Sequence, residues 1–293
     1  MTRQLLTTAL SRRQLLVRGS ALAVGGAALL AGCSGPSVPT PTASPTGSIR
    51  SQLDEAIKVI ANGSDKLGVA IHDLRNGAVY GYQPDYASQS ASMAKPMIVL
   101  MAERAARADG TTLTAEQVEQ ATAAITHSEN DPADALYAFG GQGAAYTELA
   151  RELQLPNTHA DEAHLESWSW TWTTPSDQAL LVQRLAEGSP AITDAERGFV
   201  WDLMGQVIDE HAWGVGAPRS ATVKVHLKNG WVQFQSSDGL WAVNSMGQVD
   251  GDGRSYRIAM MTRTADFDTG RETLDALGRW VFDILGSGPI EPE

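Results

Sequence analysis

Between residue 92 and about residue 216 the apolar residues recur at helical spacing, and β-type patterns stand only on either side of that block. This bracketing limits the folds open to the chain more than any other feature. Before the block, "SIRSQLDEAIKVIANG" reads as a helix that stops at Asn62-Gly63, a pair suited to a C-cap. "KLGVAIHDLRNGAVYGY" reads as two strands around the hairpin signal Asn76-Gly77. Inside the block, helices are expected over 92–107, 114–126, 132–139, 144–154, 176–187 and 193–209, with Thr114 and Gln117 as a capping box. After it, "ATVKVHLKNGW", "LWAVNSMGQV" and "SYRIAMMTR" read as strands, the last two joined by "DGDG", and "TGRETLDALGRWVFDILG" closes as an amphipathic helix. The order predicts an α/β (α+β) fold: a five-stranded antiparallel sheet built from both ends of the chain, flanked by terminal helices, plus an inserted all-helical lobe over about 92–216. A cleft between sheet and lobe is the expected site.

The N-terminus reads as an address. Residues 1–32 carry Arg3, Arg12, Arg13 and Arg18 and no acid, then the run "ALAVGGAALLAGC", too short and glycine-rich for a membrane span. "SRRQLL" (Ser11 to Leu16) resembles the twin-arginine export motif, and "LAGC" (Leu30 to Cys33) resembles a lipoprotein signal cleaved before an acylated cysteine. Cys33 is the only cysteine, so lipidation there leaves none for a disulfide. Acyl chains, at about 0.8 kcal/mol per buried methylene, are expected to hold the exported chain at the outer face of the cytoplasmic membrane or in the cell envelope. Residues 33–48 read as a Pro/Ser/Thr-rich tether, and the folded domain is expected over 49–288. Loss of the four leader arginines moves the formal charge from −12 to −16, which argues against nucleic acid as a partner.

Three polar clusters fall at element boundaries. "SASMAKPMIVL" sets Ser92 three residues before Lys95, where an apolar helix begins. That spacing sends both side chains to one face, beside the unpaired N–H groups of the helix start. A desolvated amine there has its pKa lowered, and as a neutral base it can take a serine's proton. Ser-x-x-Lys also arises by chance on the order of once in a chain of this length, so an N-cap serine and a surface lysine are the alternative on that cluster alone. "ITHSENDPADAL" places Ser128 and Asn130 at a turn between helices, and "VHLKNGW" places Lys228, Asn229 and Gly230 at a strand end, where Asn-Gly alone reads as a hairpin turn.

In this order the clusters resemble the S-x-x-K, S-D-N and K-T-G motifs of class A serine β-lactamases and penicillin-binding proteins. The resemblance spans roughly residues 50–285, includes "WTTPSDQALLVQRL" as the segment after an omega loop, and extends to actinobacterial exported serine hydrolase lipoproteins. It implies a β-lactamase/transpeptidase-like fold and a monomeric serine hydrolase that works through an acyl-enzyme, without metal or cofactor. The implied substrate is a β-lactam or a related peptidoglycan amide. On this chain Ser92 becomes the nucleophile and Lys95 its base or relay; Ser128 passes a proton to the leaving nitrogen, and Lys228 holds Ser128 and draws in an anionic substrate. Asn130 binds the acyl amide, the N–H groups of Ser92 and Trp231 form an oxyanion hole, and Asn229 and Gly230 complete the substrate site.

The chain departs from that pattern in places. The interval from Ser92 to Ser128 is shorter than in class A enzymes, which implies a more open cleft. Glu129 stands for aspartate, and Asn229 for a threonine whose hydroxyl contacts a substrate carboxylate. "PNTHADEAHLESWSWTWTTP" lacks the Glu-x-x-x-Asn pair that deacylates class A enzymes; Glu162 and Glu166 lie there at other spacing. β-Lactam turnover is therefore expected to be weak, with slow release of the acyl group. His159, Asp161, Glu162 and His164 lack metal-ligand spacing. Trp168, Trp170 and Trp172 alternate as in an extended segment with one aromatic face, which would either line the substrate cleft or pin the loop to the helical lobe; pinning is the expected role. A non-catalytic envelope lipoprotein that uses the same fold for binding is the competing function.

Overall fold

The computed structural model describes residues 47–62, 64, 66–233 and 238–293. The leader over 1–32 and Cys33 lie outside the described residues, as does most of the tether. Helix α1 (Ile49–Ala61) begins where Ser48 Oγ accepts the Ser51 N–H and ends at Asn62, a left-handed C-cap at φ 47°. Strand β1 (Leu67–Asp73) turns through Gly77, at φ 78°, into β2 (Val79–Tyr82). A short β3 (Ser88–Gln89) leads into a 3-10 turn, Ala91–Ala94, and then α2 (Lys95–Ala108). The lobe continues through α3 (Ala115–Thr126), α4 (Asn130–Phe139) and α5 (Gln142–Glu152), with the capping box of Thr114 and Gln117 formed.

A long loop then reaches β4 (Trp172–Thr173), which pairs with β3, followed by α6 (Pro175–Glu187) and α7 (Asp194–Met204). Helix α7 ends sooner than the apolar pattern over 193–209 predicts. At Gly205 the backbone passes close to the His226 ring, where a Cβ would meet Cδ2 at 3.0 Å, and the chain continues into two 3-10 turns, Asp209–His211 and Gly214–Gly216. Strands β5 (Val223–Gln233), β6 (Trp241–Gly251) and β7 (Arg254–Thr264) precede the closing helix α8 (Phe267–Gly286).

The main sheet has the order β2-β1-β7-β6-β5 and is antiparallel throughout. Its two halves, from opposite ends of the chain, meet at β1 and β7, where Leu67 pairs with Thr262 and Asp73 with Tyr256. Residues three apart on β7 reach opposite faces: Arg254 Nε donates to Phe282 O of α8, and Arg257 pairs with Glu187 of α6 at 2.7 Å. Helix α8 thus covers one face, with α1 packed on it, and α6 covers the other.

Helix α2 is the axis of the lobe and is buried continuously from Lys95 to Ala102. Met97, Ile98, Val99 and Leu100 are fully buried, each stabilising the fold by about 1.5–3 kcal/mol. A helix enclosed on all sides also desolvates whatever stands at its first position, and here that is a lysine. Among the described residues no helix is long and apolar enough to cross a membrane.

Candidate active site

Strand β5 is the outer strand of the sheet, and it lies against the 3-10 turn that carries Ser92. Gly230 is the point of contact. A Cβ there would sit 2.6 Å from Ser90 O, 2.7 Å from Met93 N and 2.8 Å from Ser92 N, all backbone atoms that cannot swing aside. Gly230→Ala is accordingly expected to cost about 1–3 kcal/mol through overpacking, read as a lowered urea midpoint at unchanged slope. On its other side the turn is tied to the long loop, since Ser90 N–H donates to Thr171 O at 2.8 Å and the Ser90 and Thr171 hydroxyls bond to each other. Ala91 takes φ 49°, a left-handed conformation that costs a residue with a Cβ on the order of 1 kcal/mol or more.

Ser92 is 7% exposed, and the N-cap position of α2 belongs to Ala94. Its place in a 3-10 turn, where positions i and i+3 eclipse, puts Ser92 and Lys95 on one face. Lys95 is fully buried; its Nζ donates to Ser128 O at 2.6 Å and Asn130 Oδ1 at 2.9 Å, with Ser128 Oγ at 3.5 Å. The Trp168 ring stands 4.9 Å from the same nitrogen. Between α3 and α4 Ser128 adopts φ 58°, and both its carbonyl and its hydroxyl meet the amine. Lys228, 1% exposed, donates from Nζ to Ser128 Oγ at 2.9 Å and to Asn229 O at 2.8 Å. The structure thus gathers Lys95, Ser128, Asn130 and Lys228 into one network from three separated segments.

Burial lowers Lys95 to about 7, against the opposing pull of the Asp134 and Glu129 carboxylates. Lys228 lies well below the usual lysine range, first through burial and then through the charge of Lys95. Two ammonium groups on one hydroxyl in a desolvated pocket repel, so protonating one disfavours protonating the other. A neutral Lys95 keeps two N–H donors for Ser128 O and Asn130 Oδ1 and has a lone pair left for a hydroxyl proton.

In front of the network opens a cavity of ≈ 390 Å³, lined among others by Ser92, Ser128, Asn130, Asp134, Trp168 and Trp231. Asp134 escapes the motif reading, whereas Trp168 lines the cavity, the alternative that the tryptophan spacing leaves open. Asp134 lies four residues after Asn130 on α4, one turn along the same face, and its Oδ1 accepts the Trp168 indole N–H at 2.6 Å. Ser167 and Ser169, also on the wall, have hydroxyls 3.0 Å apart. Glu162 and Glu166 are exposed and lie outside this lining.

Asn229, expected at the substrate, is turned elsewhere. It is 1% exposed, and its Nδ2 donates to His211 O at 2.8 Å and Trp213 O at 2.9 Å. Two carbonyls beside the strand need donors, and an amide supplies two protons where a threonine hydroxyl supplies one. Gly230 acts by its lack of a side chain, whereas Trp231 faces the cavity and packs on Trp213 and Phe267, at centroid distances of 5.9 and 5.3 Å.

The three alternating tryptophans do not form the extended, one-faced segment that their spacing predicts. Thr171 donates to Trp168 O through both N–H and Oγ1, which closes a 3-10 turn over Trp168–Trp170. Trp168 is buried at the cavity, Trp170 stacks on His164 at 4.2 Å, and Trp172 Nε1 donates to Asp161 at 3.2 Å. All three still fasten the loop. Asp161 also holds His164 Nδ1 at 3.1 Å, and among the described residues no group of three or more His, Cys, Asp or Glu is set to hold a metal.

A five-stranded antiparallel sheet with flanking helices and an inserted helical lobe is the β-lactamase fold, and the serine-lysine network lies at the seam between its halves. The model of the beta-lactamase enzyme family matches residues 51–119 and 105–285, and the chain belongs to that family. It is similar in structure to a class A beta-lactamase from Bacteroides cellulosilyticus, with TM-score 0.68 and 17% identity over 83% of this chain and 100% of that one. A class A beta-lactamase from Mycobacterium abscessus superposes with TM-score 0.66 at 19% identity, over 80% of this chain and 99% of that one. A beta lactamase from Xanthomonas campestris pv. campestris does so with TM-score 0.66 at 20% identity, over 82% and 99%. At such identities the likeness is one of fold. No curated protein matches the chain.

Proposed function

We propose that the chain is an exported, lipid-anchored serine hydrolase that forms an acyl-enzyme at Ser92 with a β-lactam or a related cell-wall amide. The supporting observation is that Lys95 and Lys228 converge on Ser128 Oγ, at the wall of the cavity that Ser92 lines. In this reading neutral Lys95 takes the Ser92 proton as Oγ attacks a carbonyl carbon, and Ser128, held by Lys228, protonates the leaving nitrogen. The N–H groups of Ser92 and Trp231 take the oxyanion; the close approach of Gly230 to Ser92 N supports this pairing. Asn130, bonded through Oδ1 to Lys95, offers its amide N–H groups to the acyl side chain.

With the Asn229 amide spent on backbone carbonyls, a substrate carboxylate has one polar partner fewer, which supports weak binding of ordinary β-lactams. Export and anchoring at Cys33 rest on the arginine pair and the "LAGC" sequence. Nitrocefin added to the mature protein, followed by colour and by intact mass, tests the reading. A Ser92 adduct with slow colour development is the expected result; an unmodified mass with the lactam intact leaves a binding scaffold.

A further inference from the structure

Resting on that acyl-enzyme reading, we infer that Asp134 is the catalytic carboxylate that activates water to release the acyl group from Ser92. Among the described residues lining the cavity it is the one carboxylate. Trp168 Nε1 fixes its Oδ1 at 2.6 Å, and the second oxygen remains an acceptor for a water proton. Asn130 precedes it by one helical turn, and Asn130 Oδ1 is bonded to Lys95 Nζ, so the carboxylate stands on the face of α4 that meets the reacting groups. Its charge is felt at Lys95, together with that of Glu129, and Glu129 is not in the lining. The two loop glutamates, exposed as Asp134 is, lie outside the lining, and Glu166 acts electrostatically on Tyr137 instead.

The step balances with water as the only co-reactant. Asp134 removes one water proton while the oxygen bonds to the acyl carbon and the carbonyl electrons move onto the oxyanion. After the leaving nitrogen has taken the Ser128 proton, the Lys95 ammonium returns its own to Ser128 Oγ, which lies 3.5 Å away. The carbonyl then re-forms, the bond from carbon to Ser92 Oγ breaks, and Oγ takes the proton that Asp134 drew from water, so the products are free Ser92, an ionised Asp134 and a carboxylic acid.

The test uses p-nitrophenyl acetate as acyl donor. Released p-nitrophenol reports acylation, and after rapid desalting the decay of the acetyl mass on Ser92 reports release. Asp134→Asn keeps an oxygen acceptor for the Trp168 indole and removes the base. It is expected to lengthen the acetyl lifetime about 100-fold while changing the acylation rate by less than about threefold. Asp134→Glu, with a carboxylate restored, is expected to recover part of that loss, and Glu162→Gln and Glu166→Gln to leave the lifetime unchanged. The proposal is overturned by equal lifetimes in wild type and Asp134→Asn, by loss of acylation in that variant, or by a longer lifetime in either loop variant. A wild-type chain that never gains an acetyl group on Ser92 overturns the acyl-enzyme reading itself, an outcome separable because the unsubstituted arm is the one that fails.

Discussion

Ser92→Ala is expected to abolish covalent labelling by nitrocefin and by a serine-directed fluorophosphonate, with rates falling by about 10⁴- to 10⁶-fold. The reason is local. Ser92 lies at the lip of the cavity, on the same 3-10 turn face as Lys95, and its neighbour Ser90 carries the hydrogen bonds that fix the turn. Removing one hydroxyl that is neither a helix cap nor a core group is expected to change stability by about 1 kcal/mol or less. The variant thus separates chemistry from folding: urea midpoints stay close while adduct formation disappears. A fluorophosphonate adduct that survives the substitution would mean that another hydroxyl is the nucleophile.

Lys95→Met is expected to slow acylation by about 10²- to 10⁴-fold, the range for loss of a positioned general base, and to alter how stability depends on pH. In the native state the Lys95 amine is lowered to about 7 by burial, whereas in the unfolded chain it has the ordinary lysine value near 10.4. Between those values the unfolded state binds more protons, so stability rises with pH across that window; the destabilisation is complete below pH 7 and fades as pH approaches the unfolded value. Glu103, pushed up to about 7 by burial, titrates below that window. Lys228 contributes in the same sense as Lys95, and the part that comes from its burial persists in the variant. The expected result is a shallower rise in the urea midpoint from pH 7 to 9 for Lys95→Met than for the wild type. Ser128 O and Asn130 Oδ1 lose a donor in the variant, which offsets its gain at low pH by about 1–3 kcal/mol.

The order of elements was legible because each carries its own periodicity. Thr114 with Gln117 and Asn62 marked helix ends through local hydrogen bonding, and both act as their residue types suggest. The gathering of Lys95, Ser128, Asn130 and Lys228 followed from the order of three clusters that singly meant little. What stayed hidden depends on contacts between distant segments. Asp134 gains its place at the cavity only when Trp168, far along the chain, donates to it. Strand alternation cannot reveal that the carbonyls of His211 and Trp213 wait beside Asn229. The tryptophan alternation points to an extended segment because side-chain period carries no trace of Thr171, whose hydroxyl closes the 3-10 turn.

The most direct measurement is the rate of fluorophosphonate labelling of the wild-type protein between pH 5 and 9, with the labelled residue located by peptide mapping. Label on Ser92, at a rate that rises with pH to a plateau with its midpoint near the Lys95 value of about 7, is the expected result. Label on any other residue, or a rate on Ser92 that does not change across that range, contradicts a hydroxyl activated by a neutral buried lysine.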